Sequence, residues 1–173
     1  MILDALLQFD PAATPWTGTT NSQNVIDLGV TSGVPTSANG GGARDIGIGD
    51  DPAMKLLVQV ITTFVGGTNM TVNFQGAPDN GSGAPGAYTT YVSSSAITLA
   101  SGGLNSGARL LDIDVPRPPP DTAIPRFLRL TYVASGTFTA GVIESLIVLD
   151  RFDQINSPTG FPSGYPVGIT VAN

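Results

Sequence analysis

The chain has no histidine and no cysteine among its 173 residues, and only one lysine, Lys55, and one glutamate, Glu144. General acid–base work near neutral pH leans on histidine, and thiolate nucleophiles or thiolate–metal centres need cysteine. What remains for chemistry is Asp, Arg, Tyr and hydroxyl groups. No disulfide can staple the fold, so stability must come from core burial or from assembly with other subunits. No apolar run approaches the roughly 20 residues that a membrane-spanning helix needs. The segment Met1–Asp10 carries Asp4 and no positively charged leader, so it is expected to be a poor secretory signal. Positive charge is scarce as well: seven Lys and Arg face 13 Asp and Glu, for a net charge of −6. That balance opposes neutralisation of a phosphate backbone and argues against nucleic-acid binding. The expectation is a soluble structural or binding module that is not an enzyme, with no catalytic residue, metal, cofactor or membrane contact.

What the chain does have is 22 Gly and 14 Pro spread among alternating apolar and polar residues. Turns are therefore frequent and long helices disfavoured. Alternation is clearest at Met54–Val65, where Met54, Leu56, Val58, Val60 and Phe64 share one strand face opposite Lys55, Gln59 and Thr63. Gly66-Gly67 follows, then Thr68–Gln75 with Met70, Val72 and Phe74 alternating against Thr71, Asn73 and Gln75. A hairpin is predicted there. Further strands are predicted at Asn24–Val30, Ala87–Val92, Ala96–Leu99, Ala108–Val115, Arg126–Ala134 and Thr137–Leu149. About eight strands without a helical stripe for βαβ crossovers fit an all-β, antiparallel, jelly-roll-like β-sandwich. Its expected core includes Leu56, Val58, Val60, Val72, Phe74, Leu128, Leu130, Tyr132 and either Leu146 or Ile147.

Between the strands, Thr31–Ala43 and Gly76–Gly86 read as flexible Gly-rich loops, and Arg117-Pro118-Pro119-Pro120 as a polyproline link outside any central strand. Residues 1–151 form the expected β domain, and 152–173 a Pro/Gly-rich extended arm. Ile2–Phe9 is the one helix-compatible stretch. Apolar residues in both terminal segments need cover: Ile2, Leu3, Leu6, Leu7 and Phe9 at one end, and Phe161, Tyr165, Ile169 and Val171 at the other. Either they pack on the chain's own sandwich or they dock across a subunit boundary. These nine residues are the candidate interface.

Other constellations have simpler readings. Asp112 and Asp114 share a strand face and, with Glu144 or Asp150, could form a carboxylate pair or a Ca²⁺ site, but a solvated outer face explains the spacing. Asp50-Asp51 lacks the order of an EF-hand loop and suits a turn before Pro52. The Gly40–Gly42 run before Arg44 lacks the strand, helix and Lys-Ser/Thr of a phosphate loop. Arg126 and Arg129 project to opposite sides of a strand, so at most one can join an interface ion pair while the other meets solvent. Pairing with an Asp of the same domain or a neighbour is expected.

Two ordered stretches, with the opening Met1-Ile2-Leu3-Asp4-Ala5-Leu6-Leu7-Gln8-Phe9, carry a resemblance. Ala43-Arg44-Asp45-Ile46-Gly47-Ile48-Gly49 leads into Leu56-Leu57-Val58-Gln59-Val60. Arg126-Phe127-Leu128-Arg129-Leu130-Thr131-Tyr132 runs through Gly136-Thr137-Phe138-Thr139-Ala140-Gly141 to Leu149-Asp150-Arg151. Over about residues 1–151 the chain resembles the capsid cement proteins of the Bordetella phage type. The resemblance implies a jelly-roll-like domain on the outer face of a tailed-phage shell, made in the host bacterial cytoplasm. It also implies the major capsid protein and further copies of itself, as dimer or trimer, as partners, and no enzymatic activity. The rival reading is a carbohydrate- or receptor-binding sandwich of a phage tail or secreted adhesin, using Trp16, Tyr88 and Tyr91 as aromatic platforms. An Asp-dependent glycosidase is a distant third.

Overall fold

The computed structural model describes residues 5–12, 15–29 and 54–148. Among them are one 3₁₀ turn, Ala5–Leu7, and ten strands: β1 (Gln8–Asp10), β2 (Thr20–Asn21), β3 (Ile26–Asp27), β4 (Lys55–Gly66), β5 (Asn69–Ala77), β6 (Thr89–Ser93), β7 (Ile97–Thr98), β8 (Arg109–Asp114), β9 (Phe127–Ser135) and β10 (Phe138–Val148). Every pairing is antiparallel. One sheet runs β1-β10-β4-β8; in the other β9 and β5 are central, with β2 and β3 on the β9 side and β6 and β7 on the β5 side. The all-β sandwich expected from the alternation is the observed fold.

The inner faces are those that the period of two picks out. Leu56, Val58, Val60 and Phe64 of β4 meet Met70, Val72 and Phe74 of β5 and Leu128, Leu130 and Tyr132 of β9 in one buried cluster. Ile147 belongs to it too, whereas Leu146 points the other way and joins Leu57 and Val148 in a second, separate buried cluster. Leu57 and Leu146 are direct cross-strand partners, so part of the outer face of this sheet is apolar, not polar as the alternation suggested.

The predicted hairpin between β4 and β5 does not form. β4 pairs with β10 and β8, β5 pairs with β9, and the two strands lie in different sheets. Gly66 and Gly67, both at positive φ (74° and 66°), turn the chain from one sheet into the other. Alternation fixes which face of a strand is buried but not its pairing partner, and both strands had an apolar face to bury. β9 and β10 make the same passage through Gly136 (φ 82°). The two passages lie against each other: Gly66 pairs with Phe138, Asn69 with Ser135, and Thr68 N–H donates to Ser135 O at 2.7 Å. β4–β5 and β9–β10 are thus one long antiparallel ribbon, folded once across its middle.

Phe138 fills the fold line. It packs edge-on to Phe64 with centroids 4.9 Å apart, and a Cβ on Gly67 would stand 2.6 Å from its ring. Register shifts between Phe138 and Ile143 allow both, which differ in parity, to point inward. Gly141 sits among these irregularities with φ 143°, where a Cβ would lie 2.2 Å from the Phe64 ring.

Several smaller elements depart from expectation. Ile2–Phe9 is represented among the described residues by the short 3₁₀ turn followed by β1, with no α-helix. Among the described residues of Asn24–Val30, strand pairing is confined to Ile26–Asp27, and β2 was not foreseen, since a two-residue strand carries too little alternation to read. The expected loop at Gly76–Gly86 is knit to itself. Asp79 Oδ1 accepts from Gly81 and Gly83 N–H (2.7 and 3.0 Å), Asn80 Oδ1 from Ser82 N–H (2.9 Å), and Gly86 N–H donates to Pro78 O (2.8 Å). Asx turns of this kind replace flexibility with local hydrogen bonds. Arg117–Pro120 lies outside any strand, between β8 and β9, as proline requires. The loop Thr31–Ala43, Gly40–Gly42 with Arg44, Asp50-Asp51 and the arm 152–173 lie outside the described residues.

Two substitutions test this core and its fold line. Val58→Ala, at a fully buried site between the sheets, should lose about 2–4 kcal/mol of unfolding free energy by denaturant titration. Gly67→Ala combines a positive φ with collision against Phe138 and should cost about 1–3 kcal/mol. A neutral Gly67→Ala would mean that the ribbon does not fold there.

Candidate functional site

The most concentrated polar chemistry among the described residues is a cluster that sequence reasoning missed, and it sits inside the core. Asp10 of β1, Ser145 of β10 and Tyr132 of β9 are all fully buried. Tyr132 Oη donates to Asp10 Oδ2 at 2.6 Å, Ser145 Oγ donates to the same oxygen at 2.5 Å, and the two hydroxyl oxygens are 3.0 Å apart. The other carboxylate oxygen, Oδ1, accepts from Gln23 N–H at 2.8 Å. Asp10 and Ser145 lie in one sheet and Tyr132 in the other, so the carboxylate ties the two layers together.

Local structure explains how a carboxylate came to be inside. The pairing of β1 with β10 shifts between Gln8 and Asp10, and Phe9 and Asp10, neighbours in sequence, are both buried. Ser145 sits between the inward Ile143 and Ile147, and Tyr132 continues the parity of Leu128 and Leu130. The available signal was a polar residue at inward parity in β10. Burial first, and the adjacent Asp10 second, hold the Tyr132 phenol well above its ordinary range. With all three side chains sealed from solvent, the arrangement offers no surface to a substrate and acts as a clasp on β1.

That clasp decides where the nominated interface residues go. Phe9 is wholly buried, edge-on to Phe74 at 6.1 Å, and so is a core residue with no area left for a partner. Leu7 packs partly against the core, while Leu6 is 61% exposed. Ile2, Leu3, Phe161, Tyr165, Ile169 and Val171 lie outside the described residues.

The charged candidates are neutralised within the chain. Asp112 and Asp114 lie on the outer face of β8, opposite Leu57 and Lys55. Asp114 pairs with Lys55 Nζ, and Asp112 Oδ2 accepts from Arg109 Nη1 at 2.9 Å with only 19% of its side chain exposed. That is a more covered position than the solvated face expected of it. No group of three potential metal-ligating acids occurs among the described residues; Asp150 lies outside them. Arg126 grips Asp27 with two bonds of 2.9 Å and also reaches Asp79. This is the same-domain pairing that was expected, and it raises the already high Arg126 pKa, chiefly through Asp27. Asp79 is held below the ordinary carboxylate range, first by the Gly83 and Gly81 N–H groups. Arg129 does more than meet solvent: its guanidinium lies 3.6 Å from the centroid of the Tyr88 ring.

The aromatic candidates are likewise engaged. Trp16 is buried, not in an open loop, and tilts onto Tyr132 at 5.1 Å. Tyr91 packs edge-on to Phe74 at 6.0 Å, in space left by Gly76, where a Cβ would stand 2.2 Å from its hydroxyl. Tyr88 lies under Arg129.

Fold and clusters together define an antiparallel β-sandwich whose N-terminal strand is clasped by a buried carboxylate and whose nominated aromatics and charges are mostly committed internally. Residues 12–147 match the model of the Bbp16 family, and the chain belongs to that family. Membership is consistent with a Bordetella phage protein. A search of curated proteins finds no match.

The clasp makes two measurable predictions. Tyr132→Phe leaves Asp10 one donor short and should cost about 1–3 kcal/mol. In the parent, the Tyr132 phenol is raised above 10.0, its ordinary value, so its contribution is complete below about pH 10 and is lost as the pH climbs from there toward the folded-state value. Stability measured across pH 8–12 should therefore fall more steeply in the parent than in Tyr132→Phe; equal slopes would show that the phenol is not linked to folding.

Proposed function

We propose that this protein is a structural component of a phage particle, a cement protein that binds the outer surface of the shell and links neighbouring major capsid subunits without catalysing a reaction. The observation that carries the reading is membership of the Bbp16 family across 12–147, a span that contains most of the described sandwich. It is joined by the resemblance of segments 1–9, 43–60 and 126–151 to phage cement proteins. Physical features support it. A clasped sandwich with a folded central ribbon is a stiff platform, and stiff surfaces lose little conformational entropy on docking. The engaged state of Trp16, Tyr88 and Tyr91 leaves the rival glycan-binding reading without an open aromatic platform.

Binding only to the assembled shell stabilises that state by mass action, and attachment through several contacts multiplies modest affinities. Leu6, exposed beside the clasped β1, and the apolar residues of 152–173 are the proposed shell- or copy-facing contacts. Phe9 has to be spared in any test, because replacing a buried aromatic would cost roughly 3–5 kcal/mol of folding and confound the result. Leu6→Ser combined with deletion of 153–173 should therefore leave a folded sandwich that decorates purified undecorated shells poorly. Shells mixed with it should release their genome at lower temperature than shells mixed with the parent. Full occupancy and unchanged heat release would place the attachment surface elsewhere, and failure of the parent to bind would remove the cement reading.

A further inference from the structure

The outer face of the sheet built on β9 and β5 is a polar lattice with one feature out of keeping. Gln75, paired with Arg129, accepts from Arg129 Nε at Oε1 (2.9 Å) and donates from Nε2 to Thr90 Oγ1 (3.0 Å). Thr131 Oγ1 stands 2.9 Å from the same Gln75 oxygen. The Arg129 guanidinium is thereby fixed at one edge by an amide and on one face by the Tyr88 ring, 3.6 Å away. Among the described residues, Lys55, Arg109 and Arg126 each meet a carboxylate; Arg129 and the exposed Arg117 meet none, and of these two it is Arg129 that is held in place by an amide and a ring.

This is an unusual state for a cation in a chain with 13 acidic residues against seven basic ones. A guanidinium presents five donors in a planar fork that matches a carboxylate, and stacking on an aromatic ring fixes that plane in advance. Holding the side chain before binding lowers the entropic cost of recruiting it, and Arg and Tyr are both among the residue types enriched where binding energy concentrates at interfaces. The net charge of −6 discriminates between ligands. A polyanion would be repelled by the rest of the surface, whereas a single carboxylate meets one local, uncompensated positive charge.

We propose that Arg129, stacked on Tyr88 and aligned by Gln75, is a docking anchor for a surface carboxylate of the shell protein, which makes the outer face of this sheet a shell-facing surface. The inference rests on the shell-binding reading above and adds to it the face and the chemistry. The surrounding amide and hydroxyl groups, Gln75, Thr90 and Thr131, supply further hydrogen bonds at the rim of the contact.

Two measurements test it. In the first, undecorated shells are titrated with the full-length parent, Arg129→Gln, Tyr88→Leu and, as a control in an exposed segment, Arg117→Gln. Arg129→Gln should weaken binding about 10- to 100-fold and Tyr88→Leu by less, with Arg117→Gln unchanged. Binding by the parent should also weaken with added salt more steeply than that of Arg129→Gln. Thermal unfolding of each variant checks the fold, and Arg129→Lys, which keeps the charge but loses the fork, should fall between parent and Gln. Parent-like binding by Arg129→Gln would overturn the anchor. In the second, the free parent is titrated with N-acetylglutamate amide, whose side chain carries its single carboxylate, and with N-acetylglutamine amide as a carboxylate-free control, while the Arg129 Nε and Tyr88 ring resonances are followed. A saturable shift with the glutamate derivative alone is expected. Should the parent leave shells bare, the cement reading fails and this titration decides the site independently: no shift, or the same shift with the glutamine derivative, would overturn it.

Discussion

The folded ribbon is the constraint on which the rest of the sandwich depends. Two stretches of more than twenty residues each, 55–77 (β4 and β5) and 127–148 (β9 and β10), pair with each other on both sides of the crease, β4 with β10 and β5 with β9, yet pass from one sheet to the other. A flat ribbon of that length would leave one apolar face open to water, while folding it on itself buries that face against its own continuation. The fold line is then the most crowded place in the molecule. Glycine is needed at 66, 67 and 136 because φ is positive there and because a Cβ on Gly136 would stand 3.1 Å from Gly67 Cα. Phe138 and Phe64 close the gap left where the two layers diverge from the crease.

A folded ribbon has an open side, and the N-terminal segment closes it. β1 joins the edge of one sheet and β2 the edge of the other, with Ser22 N–H donating to Leu130 O at 2.8 Å and Asn24 N–H to Phe9 O at 2.9 Å between them. Apolar packing of Phe9 alone would allow this segment to slide, since hydrophobic contact is non-directional. The buried Asp10 carboxylate removes that freedom: only one register presents it to Tyr132, Ser145 and Gln23 N–H together, and any other leaves a charge buried without partners. The clasp thus sets position more than it adds stability, and it is the reason Leu6, a few residues earlier, is presented outward at a fixed place.

What the sequence made legible follows from the same physics. The period of two identified the inner faces of β4, β5 and β9 residue by residue, because burial acts on each side chain separately. Pairing partners were not legible, because they depend on where a distant strand arrives; Gly66-Gly67 looks alike as a hairpin turn and as a sheet-to-sheet passage until β9 and β10 are present. The clasp was hidden for a related reason. Asp10 follows an apolar stretch in a segment too short to show a period, and a local shift in pairing put Phe9 and Asp10 both inside. Arg126 and Arg129 were rightly separated onto different surroundings by their odd spacing, but Asp27, Asp79 and Tyr88 lie 41 to 99 positions away from them in the chain. No local pattern announces such partners.

These features also connect stability to interaction. In an acidic protein, cations placed at the sheets relieve self-repulsion most effectively when each sits beside a carboxylate, and Lys55, Arg109 and Arg126 are spent that way. Arg126 in particular ties β3 and the 79–86 turn to the start of β9, taking over from backbone pairing where the strands end. Arg129, three positions on, lies on the outward face of the same strand and is stacked on an aromatic ring instead of being neutralised. An uncompensated charge contributes little to folding, and the ring beneath it holds the guanidinium at the surface in one orientation. The same strand therefore separates two roles by parity: its inward residues, Leu128, Leu130 and Tyr132, bind the two layers together, and its outward Arg129 is left to meet whatever carries the complementary charge.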